Sequence, residues 1–210
     1  MVKDLSAVTV VAFDCDGVMF DSSRANRAYY DDVLQHIGLP VMTAEQFNYA
    51  HMHTVDETLD YLIKDSKMLE TAHRYRRQRS YLPFIRHMVP EPNLKSVLPK
   101  LRTRYKTAIA TNRTDTMEGV LVEHDLEGQF DLVVTAMDVQ IPKPHPEQLL
   151  AVLSHFKITP QQMVYIGDSW LDAQASQAAG VPFIAFQNRD LPADLHIETL
   201  SQIPPILGLA

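Results

Sequence analysis

The sequence predicts an α/β fold: a parallel sheet with helices on both faces, interrupted after its first strand by an all-α domain. Three observations predict it. Short apolar runs alternate with helix-period stretches from residue 89 onward. The block 21–88 carries helical periodicity only. A chemically distinctive group of residues follows each of four apolar runs, where ligands of open α/β sheets bind.

The elements follow in order. Val8–Phe13 reads as a buried strand, ending in the segment VVAFDCDGVMFDS at 10–22. Tyr29, Val33 and Ile37 recur at helical spacing, with Gly38 and Pro40 as stop signals. Val55, Leu59, Leu62 and Ile63 form a second stripe. Met68, Ala72 and Tyr75 begin a third that runs on to Leu82 and Ile85, with an interruption expected near Pro83. Helix is then expected over 94–101, strand over 107–111, helix over 115–124 and strand over 131–135. Helix over 146–156, strand over 163–166, helix over 169–179 and strand over 182–186 complete the alternation. Pro204–Ala210 reads as a loosely held tail. The organisation is a core of 1–20 and 89–210 with a helical insertion of 21–88.

Composition narrows the function classes. The 210 residues are 46% hydrophobic and 21% charged, ordinary for a globular chain with one sizeable core. The net charge of −7 argues against a nucleic-acid partner bound through phosphate attraction. Cys15 is the single cysteine, so no internal disulfide forms. Its place in an apolar strand beside acidic residues makes it a buried small residue rather than a nucleophile. No apolar run reaches membrane-spanning length, and MVKDLSAV lacks a signal-peptide core, so a cytoplasmic enzyme with no membrane partner is expected.

The strand ends carry the chemistry. Asp14 and Asp16 stand on either side of one residue, and Gly17 lets the chain turn at once. Side chains at i and i+2 of a strand share a face, so the two carboxylates are expected to converge. Two carboxylates about 4 Å apart repel by roughly 4 kcal/mol at an effective dielectric near 20, and need a cation, a shared proton or solvent. Thr111 and Asn112 follow the second run, Lys143 lies in IPKPHP after the third, and Asp168 and Asp172 follow the fourth. Each alone is explained by turn or capping chemistry; four successive strand ends with such groups are not.

The ordered motifs DCDGV at 14–18, ATN at 110–112, KPHP at 143–146 and GDSWLD at 167–172 resemble the haloacid dehalogenase superfamily. They resemble in particular the branch with a helical cap, which includes phosphoglycolate phosphatase and beta-phosphoglucomutase. The resemblance covers the whole core and implies a Rossmann-like fold. It implies Mg²⁺ as cofactor, held by Asp14, the backbone carbonyl of Asp16, and Asp168. It makes Asp14 the nucleophile, forming an aspartyl-phosphate. Asp16 would protonate the leaving oxygen and later take a proton from water. Thr111, with Asn112 and nearby amides, would hold the phosphoryl oxygens. Lys143 would add positive charge. Asp172 would orient Lys143 or support the metal site.

The cap has no comparable motif. In relatives of this layout it closes over the core and selects the substrate. Arg24 and Arg27 on the first cap helix, Arg113 beside Asn112, and His51 and His53 in a loop between cap helices are candidate substrate contacts. HRYRRQR at 73–79 reads as an exposed helix face, and Trp170 is expected to pack. The function implied is a Mg²⁺-dependent phosphatase acting on a small phosphorylated metabolite. A phosphomutase uses the same core residues. Phosphonate cleavage would need a Schiff-base lysine, and Lys64 and Lys67 are the cap lysines. A non-catalytic module binding a phosphorylated metabolite is the alternative of another class.

Overall fold

The computed structural model describes residues 5–52 and 55–209, residues 51 and 52 by their backbone. The chain divides into two units: the residues up to Asp21 together with those from Pro90, and the segment Ser22–Val89. The two-residue strands β2 (Phe20–Asp21) and β3 (Val89–Pro90) stand at the two junctions.

The first unit is built on six strands: β1 (Val10–Phe13), β4 (Lys106–Ala110), β5 (Leu132–Val134), β6 (Met163–Gly167), β7 (Phe183–Phe186) and β8 (Leu195–Ile197). Their order is β5-β4-β1-β6-β7-β8, and every neighbouring pair is parallel. Val10 pairs with Lys106 on one side of β1 and Met163 on the other. All four residues of β1 are buried, as expected of a parallel strand covered on both faces. On one face Ala12, Ala108, Ala110 and Ala185 keep the sheet surface low. Helices α7 (Glu147–Phe156) and α8 (Trp170–Ala179) pack there through Leu149, Val152, Ala173 and Ala175. Helices α5 (Leu94–Arg102) and α6 (Met117–Glu123) complete the alternation. Because the chain leaves β1 to either side, β1 is a topological switch point, and a crevice opens at its carboxyl end.

The second unit holds α1 (Ser23–His36), α2 (Ala44–Met52), α3 (Val55–Leu62) and α4 (Ser66–Gln78). Its core is Tyr30, Val33, Leu34, Met42, Ala50, Leu59, Ile63 and Ala72. Asp65 caps α4 by accepting from the Lys67 and Met68 amides. The third apolar stripe ends at Gln78, and Pro83 sits in a separate 3₁₀ turn over Leu82–His87. Ile85 is buried, but Leu82 is exposed, because the change of helix rotates it off the stripe. The basic run at 73–79 is only partly solvated. Arg79 and Tyr75 both bind Asp32, at 2.8 Å each, and Arg76 reaches Asp56 at 3.2 Å, so the run ties α4 to α1 and α3.

Two departures lie in the core unit. β8 (Leu195–Ile197) has only three residues with His196 in the middle, too short and too polar to read as a strand. The C-terminal segment is docked rather than loose. It forms α9 (Ile203–Ile206) with Ile203, Pro204 and Leu207 buried, prolines being compatible with a first helical turn. The Tyr105 hydroxyl donates to the Leu207 carbonyl at 2.6 Å in a buried setting. Tyr105→Phe orphans that carbonyl and is expected to lower unfolding stability by about 1–2 kcal/mol in urea titrations. An unchanged midpoint would show the segment to be detached in solution.

Candidate functional site

The site is assembled at the carboxyl ends of β1, β4 and β6, three neighbouring strands. Asp14 follows β1 directly. Its amide donates to the Ile166 carbonyl at 2.9 Å, so β6 fixes its backbone. Its side chain is buried, and Oδ1 accepts from the Cys15 amide at 2.7 Å and faces Lys143 Nζ at 3.0 Å. The turn after Asp14 is tight: the Cys15 carbonyl accepts from the Met19 and Phe20 amides, and Gly17 takes φ +78°. A Cβ at Gly17 would overlap the Asp168 carboxylate, and one at Gly167 would overlap Asp172. Both glycines are required for side chains to fill the space over the backbone.

Lys143 is the hub. Its ammonium is buried and lies 2.6 Å from Asp172 Oδ1, 2.8 Å from the Tyr165 hydroxyl and 3.2 Å from the Ala110 carbonyl. The backbone around Lys143 is also held. Its amide donates to Asn112 Oδ1 at 3.0 Å, and Asn112 Nδ2 donates back to its carbonyl at 3.0 Å. Asn112 thus fixes the lysine loop instead of facing a ligand through its amide. Gln148, fully buried on α7, donates to the Thr111 carbonyl at 2.6 Å and accepts from the Lys143 amide at 3.4 Å. Thr111 Oγ1 accepts from the Arg113 amide at 3.2 Å.

Asp172 binds Lys143 and the Tyr165 hydroxyl through Oδ1, and the Ser169 amide and hydroxyl through Oδ2. Both its oxygens are committed, so it orients the lysine. Asp168 is partly exposed, and Asn188 Nδ2 donates to its carbonyl at 2.9 Å. Ligand oxygens of Asp14, Asp168 and Asp172 lie within 4.8 Å of one another.

The Asp16 carboxylate stands outside that group. The strand periodicity that would have aligned it with Asp14 stops at Phe13, and the turn directs it elsewhere. Asp16 Oδ1 pairs with Arg113 Nη2 at 2.8 Å. Arg113 is therefore occupied by an internal carboxylate, not waiting for a substrate anion. Arg27 is also engaged, donating to the Met42 carbonyl at 2.9 Å and lying over the Phe47 ring. Arg24 is exposed on α1. His51 belongs to α2, not to a loop, and His53 lies outside the described residues. Trp170 is 55% exposed, because the capped first turn of α8 points it away from the core.

The electrostatics follow from burial and one shared cation. Burial raises the Asp14 pKa to about 7; Lys143 opposes this, while Asp172 and Asp16 add to it. Burial, with Asp14 and Asp172 nearby, raises Asp168 to about 8. Asp172 is also buried, but its closer contact with Lys143 and its hydrogen bonds hold it below the usual range. Burial pulls Lys143 down, and the Asp14 and Asp172 charges outweigh it, so the ammonium stays protonated. Burial pushes the Cys15 thiol well up, which leaves it inert. Four carboxylates face two cations, Lys143 and Arg113. The two unbalanced charges, the all-oxygen donors and the available oxygens of Asp14 and Asp168 fit a hard divalent cation.

Residues 11–186 match the model of the haloacid dehalogenase-like hydrolase family. The chain belongs to that family and is a phosphohydrolase. It is similar to a phosphoglycolate phosphatase of Salmonella paratyphi A, 30% identical over 211 residues, which span 86% of this chain and 81% of the relative. A solved haloacid dehalogenase superfamily hydrolase of subfamily IA from Geobacter sulfurreducens superposes with a TM-score of 0.91. It is 36% identical over 97% of this chain and 98% of its own. A beta-phosphoglucomutase of Clostridium difficile, 19% identical over 93% of each chain with a TM-score of 0.69, shares the fold. No helix among the described residues is long and apolar enough to cross a membrane.

The raised carboxylates set a pH dependence. A group that binds its proton more tightly when folded stabilises fully below its unfolded pKa, near 3.8 for these aspartates. That contribution is lost as pH rises through the folded values, about 7 and about 8. The metal-free protein is expected to lose thermal stability from about pH 4 to about pH 8. Added Mg²⁺ should raise Tm more at pH 8 than at pH 5, since binding displaces those protons. Equal shifts at both pH values, measured by scanning fluorimetry, would contradict this arrangement.

Proposed function

We propose that this phosphohydrolase is a Mg²⁺-dependent phosphatase of small phosphate monoesters, working through an aspartyl-phosphate on Asp14. The observation that carries this reading is the buried Asp14 carboxylate, 3.0 Å from Lys143 and within 4.8 Å of Asp168, at the switch point of the sheet. The 30% identical relative named phosphoglycolate phosphatase makes 2-phosphoglycolate the first substrate to test.

Asp14 and Asp168 would hold the Mg²⁺ with the carbonyl of Asp16. Bound there, the ion supplies the positive charge that keeps both carboxylates ionised and offsets the phosphate charge. Asp14 Oδ attacks phosphorus, and the ester P–O bond breaks with its electron pair remaining on the leaving oxygen. Asp16 gives that oxygen a proton. Asp16 then takes a proton from water, whose oxygen bonds to phosphorus as the Asp14–phosphorus bond breaks and phosphate leaves. Lys143, aligned by Asp172 and Tyr165, offsets charge on Asp14 and on the phosphoryl group throughout. Thr111 donates to a phosphoryl oxygen. Asn112 and Gln148 act by holding the loops that carry Thr111 and Lys143.

Asp14→Asn is expected to abolish phosphate release while the protein stays folded by circular dichroism, since the substitution is nearly isosteric and removes a buried charge. Activity retained in pure Asp14→Asn protein would refute the nucleophile assignment. Release of phosphate from 2-phosphoglycolate, dependent on Mg²⁺, is the expected result of a monoester panel. Conversion of glucose 1-phosphate to glucose 6-phosphate in place of phosphate release would identify a mutase. Inactivity across the panel would favour a binding module.

A further inference from the structure

The contact that the proposed phosphatase chemistry does not by itself require is the one between Arg113 and Asp16. The Arg113 side chain is 8% exposed and the Asp16 side chain 39%, with 2.8 Å between Nη2 and Oδ1. Arg113 is anchored from several directions. Nη1 donates to the hydroxyl of the buried Thr116 at 3.2 Å. The Arg113 amide donates to Thr111 Oγ1 at 3.2 Å, and its carbonyl accepts from the Ala136 amide at 2.9 Å. A buried guanidinium fixed on its own loop is therefore bonded to a half-exposed carboxylate on another loop. The buried partner sets the direction of the more exposed one, and the planar guanidinium defines an angle as well as a distance.

We propose that Arg113 is a positioning residue for Asp16: it holds Oδ1 so that Oδ2 meets the leaving oxygen of the substrate. This rests on Asp16 acting as the proton donor and acceptor in the proposed reaction. Arg113 does not touch the substrate and acts only through Asp16. The role differs from anion binding, the reading its place beside Asn112 suggests from sequence, because the guanidinium is spent on Asp16 and Thr116.

Leaving-group dependence separates the two roles. A nitrophenolate departs with little help from an acid, whereas the alkoxide of 2-phosphoglycolate needs a proton as the P–O bond breaks. For Arg113→Met, kcat/KM on 2-phosphoglycolate is expected to fall about 10- to 100-fold further than on 4-nitrophenyl phosphate, a share of the usual general-acid contribution. Arg113→Lys, which keeps a cation within reach of Asp16, should recover part of that difference. The comparison is a ratio of two activities in one preparation, so any unfolded fraction cancels. Equal losses on both esters in both variants would overturn the proposal. So would a rise in KM for 2-phosphoglycolate with kcat unchanged, the signature of a substrate contact. If the unaltered protein hydrolyses neither ester, the phosphatase reading fails before Arg113 is tested.

Discussion

The buried ammonium of Lys143 is the constraint on which the rest of the core depends. Its two carboxylate partners come from different elements, Asp14 at the end of β1 and Asp172 on α8. The Tyr165 hydroxyl and the Ala110 carbonyl add contacts from β6 and β4. One cation thereby joins the ends of three parallel strands and a helix. Removing the ammonium would cost about 3–5 kcal/mol, because Asp14 and Asp172 would stay buried without compensation. The loop carrying Lys143 is held just as firmly, by Asn112 and Gln148, and Gln148 also holds the Thr111 carbonyl. The groups that would meet a phosphoryl oxygen and the group that would balance its charge are braced by the same two amides.

Unequal sharing of that cation separates the acids. Asp172 is closer to Lys143 and has both oxygens filled, so it stays ionised. Asp14 receives the weaker contact, and burial wins. Asp16 has its own partner, Arg113, away from the crowded centre. Two aspartates one residue apart thus have different exposure and different cations, and the turn at Gly17 provides those different surroundings.

The sheet and the four motif-bearing strand ends were legible in the sequence because buried parallel strands are written as unbroken apolar runs, and Asp14, Thr111 and Asp168 directly follow them, with Lys143 in the loop after the third. The apolar stripes of α1, α3 and α4 were legible for the same reason. What escaped was set by tertiary partners. β8 is held by pairing with β7 rather than by its own composition. The docked C-terminal segment depends on Tyr105, 102 positions from Leu207. Arg113 and Arg27 read as candidate substrate contacts because nothing local announces Asp16 or the Met42 carbonyl. Tyr165 and Gln148 left a faint signal, a hydroxyl within an apolar strand and an amide on the apolar face of α7, since such groups are buried only with partners.

The close approach of the acids is a property of the backbone as much as of the carboxylates. Side chains can fill the space over residues 17 and 167 only because both are glycine. The resulting group carries more negative charge than its cations balance, and it is too buried for water to screen the difference. Such a group takes up protons below the raised values of about 7 and about 8, and above them its charge is of the kind a divalent cation would offset. The repulsion that costs the metal-free chain stability is therefore what would favour a doubly charged ion there. Relieving it by substitution would strengthen the fold and weaken the site together.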